Sequence, residues 1–315
     1  MAFKIGLALG SGAARGWAHI GIIEALEELG VNISAISGCS IGSYVGATYC
    51  AGNLPELKSW VLGLNEWQVA KLMGVSMQKG GLVSGEKVFT KLREEFVTEN
   101  IEELPIPFSA VATDMRRGQE ISFMQGSTAD AIRASCSIPG IFSPHRYQNR
   151  WLLDGAVVNP VPVSLCRQLG VDIVIAVNLG SDFNPSETEK HNQQQKKNED
   201  RFNKFMEQSM ESFGQWWDSK FPSDKKEAKA SESKANEPKP NQPAPSIVSC
   251  MSNAIDIMQD RVTRSRLAGD PPDILLSPKL SHIGIMEFYR AEEAIEIGRA
   301  CVNRMAEQIK YQLNL

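Results

Sequence analysis

Three short stretches bring together residue types that can do chemistry. GCSIG, Gly38 to Gly42, has the form G-x-S-x-G. That pattern makes a sharp strand-to-helix turn and lifts a serine out as a nucleophile, here Ser40. GSGAARG, Gly10 to Gly16, lies upstream, and LLDGAVVNPVP, around Asp154, lies far downstream. Gly38 and Gly42 flank the serine. Gly155 and Ala156 follow the aspartate, where small residues permit a tight turn and the close approach of a partner.

Gly10, Gly12 and Gly16 form G-x-G-x-x-x-G between an apolar run and a helical pattern. Exposed amides there, with the helix N-terminus behind them, suit an anion. One such anion is the diphosphate of a dinucleotide, and Arg15 would suit a 2′-phosphate. That reading expects an acidic residue about 20 positions on, and the second strand pattern ends instead in Ser37, Gly38 and Cys39. The other anion is the oxyanion of an ester intermediate, which needs the same bare N–H groups. The neighbouring GCSIG favours the second use.

The serine needs a base. Of the four histidines, His19 falls in the first helix pattern and reads as a packing residue. His191 lies in a polar tract, His145 in SPHRYQNRW, and His282 after a late strand, the best position for a histidine triad. No context demands any of them. Asp154 stands between an apolar run and a glycine. A carboxylate is a weak base at its usual pKa of about 3.9, but partial burial raises that value and strengthens it as a base.

The elements that must hold these groups follow from the apolar pattern. Lys4 to Leu9 and Val31 to Ser37 read as buried strands, each leading through a glycine turn into a helix, Trp17 to Leu29 and Ile41 to Ala51. Residues 56 to 104 read as mostly helical, with a glycine-rich break at Lys79 to Gly85. Strands are expected at Phe108 to Thr113, Glu120 to Phe123, Asp172 to Leu179 and Ile274 to Leu276, and the apolar run Trp151 to Leu153 leads into the DGA motif. Helices are expected at Thr128 to Ser135, Val163 to Leu169, Ile247 to Leu267 and Phe288 to Leu313. Strands alternating with helices predict an α/β fold with a mainly parallel central sheet and helices on both faces.

One domain is expected over 1–315, with its motifs in 3–180 and its last part at 247–315. A polar insertion at 181–246, partly disordered by composition, interrupts it. Within the insertion, Phe202, Phe205, Met206, Met210, Phe213, Trp216 and Trp217 recur at helical spacing. They predict an amphipathic helix near 202–221 that packs as a lid, rests on a membrane surface or meets a partner protein.

The formal charge of −4 and the absence of a basic run point away from nucleic acid. The six cysteines show neither a CxxC pair nor metal-ligand spacing, so reduced thiols and no metal are expected. No apolar run reaches the ~18 residues of a membrane span, and the first residues do not read as a secretory signal. The expectation is a cytoplasmic protein, peripheral at most to the inner face of the membrane.

GSGAARGWAHIG, GCSIG and DGAVVNPVP, in that order, resemble the patatin-like phospholipase family, in particular its short bacterial members of the neuropathy-target-esterase type. ASCSIPGIFSP, Ala134 to Pro144, is similar to a family segment between the serine and the aspartate. Ser11 departs from the commoner all-glycine loop but still supplies an N–H. The resemblance implies a three-layer patatin-like fold and a Ser–Asp dyad without histidine. Ser40 would be the nucleophile and Asp154 the base, with the oxyanion hole around Gly12 and Ala13, and Arg15 supporting that loop or its charge. It also implies a lipid or other acyl-ester substrate and no cofactor. A binding or regulatory protein keeping the fold is the alternative.

Overall fold

The computed structural model describes residues 3–73, 81–83, 85–182 and 247–315. The expected helix near 202–221 lies outside them. In chain order, β1 (Ile5–Leu9) passes through a 3-10 turn at Ala13–Trp17 into α1 (Ala18–Glu28), and β2 (Ile33–Cys39) turns into α2 (Ile41–Cys50). Then come α3 (Leu54–Leu62), α4 (Glu66–Met73), a short β3 (Gly81–Val83) and α5 (Glu86–Lys91). β4 (Phe108–Asp114), β5 (Gln119–Phe123), α6 (Thr128–Ser135), β6 (Gly140–Phe142), β7 (His145–Tyr147) and β8 (Arg150–Asp154) follow. α7 (Val163–Gln168) and β9 (Ile173–Val177) precede residue 183. Beyond residue 246 stand α8 (Ile247–Gly269), β10 (Ile274–Leu276), α9 (Ala291–Arg304) and α10 (Ala306–Leu313).

The main sheet runs β10-β9-β1-β2-β4-β8-β7, with β5 also on β4. β10, β9, β1, β2 and β4 pair in parallel, while β5 and β8 pair with β4 antiparallel. The fold is the α/β class expected, with a sheet whose parallel half carries the first two motifs.

Burial on both faces explains the continuous apolar runs. Leu7, Leu9, Ile175 and Val177 point into the larger core with α1, α2 and α9, whereas Ala8, Val174 and Ala176 meet Val163 and Cys166 of α7 on the other side. The side-chain period of two along a strand produces this division. Each fully buried leucine or isoleucine adds about 1.5–3 kcal/mol through its area removed from water. α1 and α9 cross closely because Gly21 and Gly298 lack side chains: a Cβ on either would overlap a backbone carbonyl of the other helix.

Three local expectations are corrected. The C-terminal helical pattern from Phe288 is two helices, α9 and α10, interrupted at Met305. β2 extends to Cys39 rather than stopping at Ser37, because Gly38 and Cys39 pair with Ala110 and Val111 of β4. Strands β6 and β7, three residues each, occupy a stretch with no expected strand. At that length neighbours rather than periodicity decide the conformation.

Candidate active site

Strand β4 brings the second and third motifs together. β2 runs parallel to it, with Cys39 opposite Val111. β8 runs antiparallel to it, with Asp154 opposite Ala112. β5 holds the other edge, pairing with Ala110 through Asp114. β2 and β8 therefore share one edge of β4 and meet there end to end, at adjacent positions. The residue after Cys39 is Ser40, and the last residue of β8 is Asp154.

Ser40 Oγ donates to Asp154 Oδ2 at 2.7 Å. The serine has φ 54° and ψ −126°, a conformation that costs a non-glycine residue of order 1–3 kcal/mol. Hydrogen bonds hold it there. The Ser40 N–H donates to Ser135 Oγ at 2.8 Å, and its carbonyl accepts from Ser43 Oγ at 2.6 Å and from the Ser43 and Tyr44 amides. The flanking glycines are required by space. A Cβ on Gly38 would overlap the Ser43 backbone, and one on Gly42 would overlap the Leu9 carbonyl at the end of β1.

Asp154 is equally fixed. Oδ1 accepts the Ala156 N–H at 2.8 Å, the Asp154 N–H donates to the Ser137 carbonyl at 2.9 Å, and the Asp154 carbonyl accepts from Thr113 Oγ1 at 2.8 Å. Gly155 sits where a side chain would overlap the Val111 carbonyl. Burial pushes the Asp154 carboxyl up to about 7, against the opposing pull of its bonds from Ser40 and Ala156. A carboxyl titrating near neutrality can exchange a proton with an alcohol far more readily than a solvated one. The Cys39 thiol lies 4.0 Å from Oδ1, and burial pushes that thiol well above the usual range, so it stays protonated and weakly nucleophilic.

The glycine loop closes the site from the β1 side. Gly10 N–H bonds the Val177 carbonyl and Ser11 N–H the Pro160 carbonyl; Ala14 and Arg15 amides are engaged by Ile285 and Gly12 carbonyls. The Gly12 and Ala13 amides have no acceptor among the described residues. Ala13 has φ 49°, another strained turn residue. Gly16 seats against the Ile41 side chain, directly after Ser40. Arg15 donates through Nε to the Ile283 carbonyl at 2.9 Å, and its Nη2 stands 3.9 Å from Asp256 of α8. His19 is more than a packing residue: its Nε2 lies 2.8 Å from the Gly10 carbonyl. A carbonyl only accepts, so Nε2 carries the proton.

Ser40 stands where two clefts meet. One is lined by Ser11, Gly12, Arg15 and Asp154, and across from them by Asp256, Gln259, Asp260 and Thr263 of α8. The other is almost wholly apolar, with Trp17, Tyr44, Val69, Leu72, Phe89 and Phe142 among its walls. Ala13, Ser40 and Ile138 belong to both clefts. An ester whose carbonyl lay at Ser40 would place its acyl chain in one and its alcohol in the other.

The remaining histidines lie elsewhere. His145 bonds Asp130 and His282 bonds Glu293, each at 2.9 Å, and neither lines the two clefts. His191 is outside the described residues. Sequence reasoning missed Ser135 and Ser137, which brace Ser40 and Asp154 respectively. Their signal was present in the ASCSIPG stretch, where two serines precede a Pro-Gly turn. It also missed the α8 wall, whose Asp256, Gln259, Asp260 and Thr263 share one helix face by their spacing.

The family model described as patatin-like phospholipase matches residues 7–167. An uncharacterized NTE family protein of Mycobacterium bovis is 32% identical over 337 aligned positions, covering 96% of this chain and 91% of its own length. The neuropathy target esterase sws of Drosophila melanogaster is 30% identical over 185 positions, and Lysophospholipase NTE1 of Pyricularia oryzae 33% over 189. Each of these covers 56% of this chain, which in turn spans only 13% and 12% of their lengths. The chain belongs to the patatin-like phospholipase family and is a lipid ester hydrolase.

Proposed function

We propose that the protein hydrolyses acyl esters of phospholipids or lysophospholipids through a Ser40–Asp154 dyad and an acyl-enzyme. The observation that carries this reading is the 2.7 Å contact between Ser40 Oγ and a buried Asp154 carboxyl raised to about 7. Ser40 Oγ attacks the ester carbonyl carbon as its proton passes to Asp154 Oδ2. The Gly12 and Ala13 amides receive the oxyanion that forms. A donor of that kind is worth about 3–4 kcal/mol in the transition state.

The tetrahedral centre collapses, the ester C–O bond breaks, and Asp154 returns the proton to the departing alcohol. Water then attacks the acyl-serine with Asp154 again as base, which releases the fatty acid and restores Ser40. The apolar cleft takes the acyl chain; the cleft against α8 takes the alcohol and its head group. Arg15 adds positive charge beside the oxyanion. The lysophospholipase name of similar proteins favours a single-chain substrate.

Mass spectrometry after exposure to a fluorophosphonate tests the dyad. The wild-type chain gains one adduct on Ser40, Ser40→Ala gains none, and Asp154→Asn reacts far more slowly while still folded. Equal labelling of wild type and Asp154→Asn overturns the role given to Asp154.

A further inference from the structure

Four arginines and two large apolar side chains crowd one corner of the sheet, away from the clefts. Met115 and Trp151 are 56% and 52% exposed. The Met115 N–H bonds the Trp151 carbonyl at 2.9 Å, continuing the β4–β8 ladder. Trp151 pairs in turn with Arg146 of β7. The three side chains thus form a row across three strands on one face, with the Arg146 guanidinium 6.0 Å from the Trp151 ring. Arg116 and Arg117 occupy the turn after β4, and Arg150 opens β8; all are exposed.

The carboxylate nearest this group is occupied. Asp114 is buried, its Oδ1 accepts the Arg116 and Arg117 amides, and its Oδ2 lies 3.8 Å from Arg150. The Arg116 and Arg117 guanidinia have no ion pair among the described residues. A chain of net charge −4 therefore gathers local positive charge around an exposed tryptophan and methionine. Guanidinia attract anionic head groups, and a tryptophan ring settles at the boundary between head groups and acyl chains.

Its position fits the same purpose. β1, β2 and β4 run in parallel, so the patch after Asp114 lies at the carboxyl end of the sheet, the end that carries Gly10 and Ser40. It stands about 13 Å along β4 beyond the level of Cys39, four residues at ~3.3 Å each. We infer that Met115, Arg116, Arg117, Arg146, Arg150 and Trp151 form a docking surface for an anionic lipid bilayer, at the end of the sheet that carries Ser40. The inference rests on the lipid-hydrolase reading only for its purpose.

The test is co-sedimentation of the full chain with vesicles of phosphatidylcholine mixed with phosphatidylglycerol, and with vesicles of phosphatidylcholine alone. The chain is expected to pellet with the first, to be released by high salt, and to stay in solution with the second. Arg116→Gln with Arg117→Gln weakens binding about 25-fold, from roughly fivefold for each basic side chain at an anionic surface. Trp151→Ala weakens it further. Hydrolysis of a soluble short-chain ester by these variants stays at the wild-type rate, which also shows that they fold. Absence of binding to the anionic vesicles, equal binding to both compositions, or variants that bind like wild type would each overturn the inference. A wild-type chain that binds vesicles but cleaves no ester would refute the catalytic reading and leave this surface standing.

Discussion

His19 Nε2 stands 2.8 Å from the Gly10 carbonyl, in a contact sealed entirely from solvent. It ties α1 to the loop that carries the unengaged Gly12 and Ala13 amides. His19→Phe keeps most of the volume and removes the donor, which orphans a buried carbonyl at a cost of about 1–3 kcal/mol. It should lower kcat for a short-chain ester ten- to a hundredfold, since one misdirected oxyanion donor costs about that much or more. KM should change little, because the contact touches no substrate. His19→Gln, which retains an N–H donor, should recover part of the rate. Steady-state kinetics and a denaturation midpoint for each variant decide it.

The pH–rate profile should report Asp154. With its carboxyl at about 7, the base form is scarce in acid and dominant in mild alkali. The value of kcat/KM should therefore rise tenfold per pH unit below about 7 and level off above it. In Asp154→Asn that inflection should vanish along with most of the rate. An unchanged profile in the residual activity would place the titrating group elsewhere.

The same burial has a consequence for stability. The Asp154 pKa is raised on folding, so its protonated form stabilises the native state fully below the unfolded value of about 4, and this is lost as pH rises through about 7. His19 has the opposite sign. Its pKa is lowered to about 4 by burial, so its contribution is complete above about 6.5 and is lost as pH falls through 4. Between these limits the two slopes oppose. Asp154→Asn removes the first and should melt higher than wild type at pH 8, by roughly 2–4 kcal/mol of stability, with the advantage gone near pH 4. Thermal melts of both chains across that range are the check.

Ser135 should matter more than its small side chain suggests. Its hydroxyl accepts the Ser40 amide, which holds a strained φ in place. Ser135→Ala leaves that amide unsatisfied, at a cost of about 1–3 kcal/mol. Fluorophosphonate labelling of Ser40 should slow in the folded variant. Ser135→Thr, which retains the oxygen, should come closer to wild type.

Chain-length preference should respond to the apolar cleft alone. Val69 lines it and is buried. Val69→Phe takes up space there, so the ratio of long-chain to butyryl ester hydrolysis should fall about tenfold, as is typical of pocket changes worth 1–3 kcal/mol. The butyryl rate should hold. A uniform fall in both rates would mean that the acyl chain binds elsewhere.

The site was legible wherever chemistry demands a missing side chain. Gly38, Gly42 and Gly155 face backbone that no Cβ could approach, so their motifs are visible as spelling. The buried strands were legible because both faces of the sheet are covered, which turns β1 and β9 into apolar runs. What packing or pairing decides left weaker marks. Nothing in the composition around Met305 separates α9 from α10. The Ser135 hydroxyl and the Ser137 carbonyl become supports only because α6 and the turn after it lie beside the ends of β2 and β8. The α8 wall is separated from every motif by the whole insertion, so its spacing carried no hint of what it faces.

The end-to-end meeting of β2 and β8 also frees the chain between them. Ser40 and Asp154 are 114 residues apart, yet their separation in space is set by one step along β4, from Val111 to Ala112. Nothing in that step depends on how long the intervening segment is. The stretch from α3 to α5, which supplies much of the apolar cleft, precedes β4 and can lengthen, shorten or change its side chains without moving the serine from the aspartate. On the mechanism proposed above, reactivity and substrate choice are thereby carried on separate lengths of one polypeptide, and the second can diversify while the first stands still.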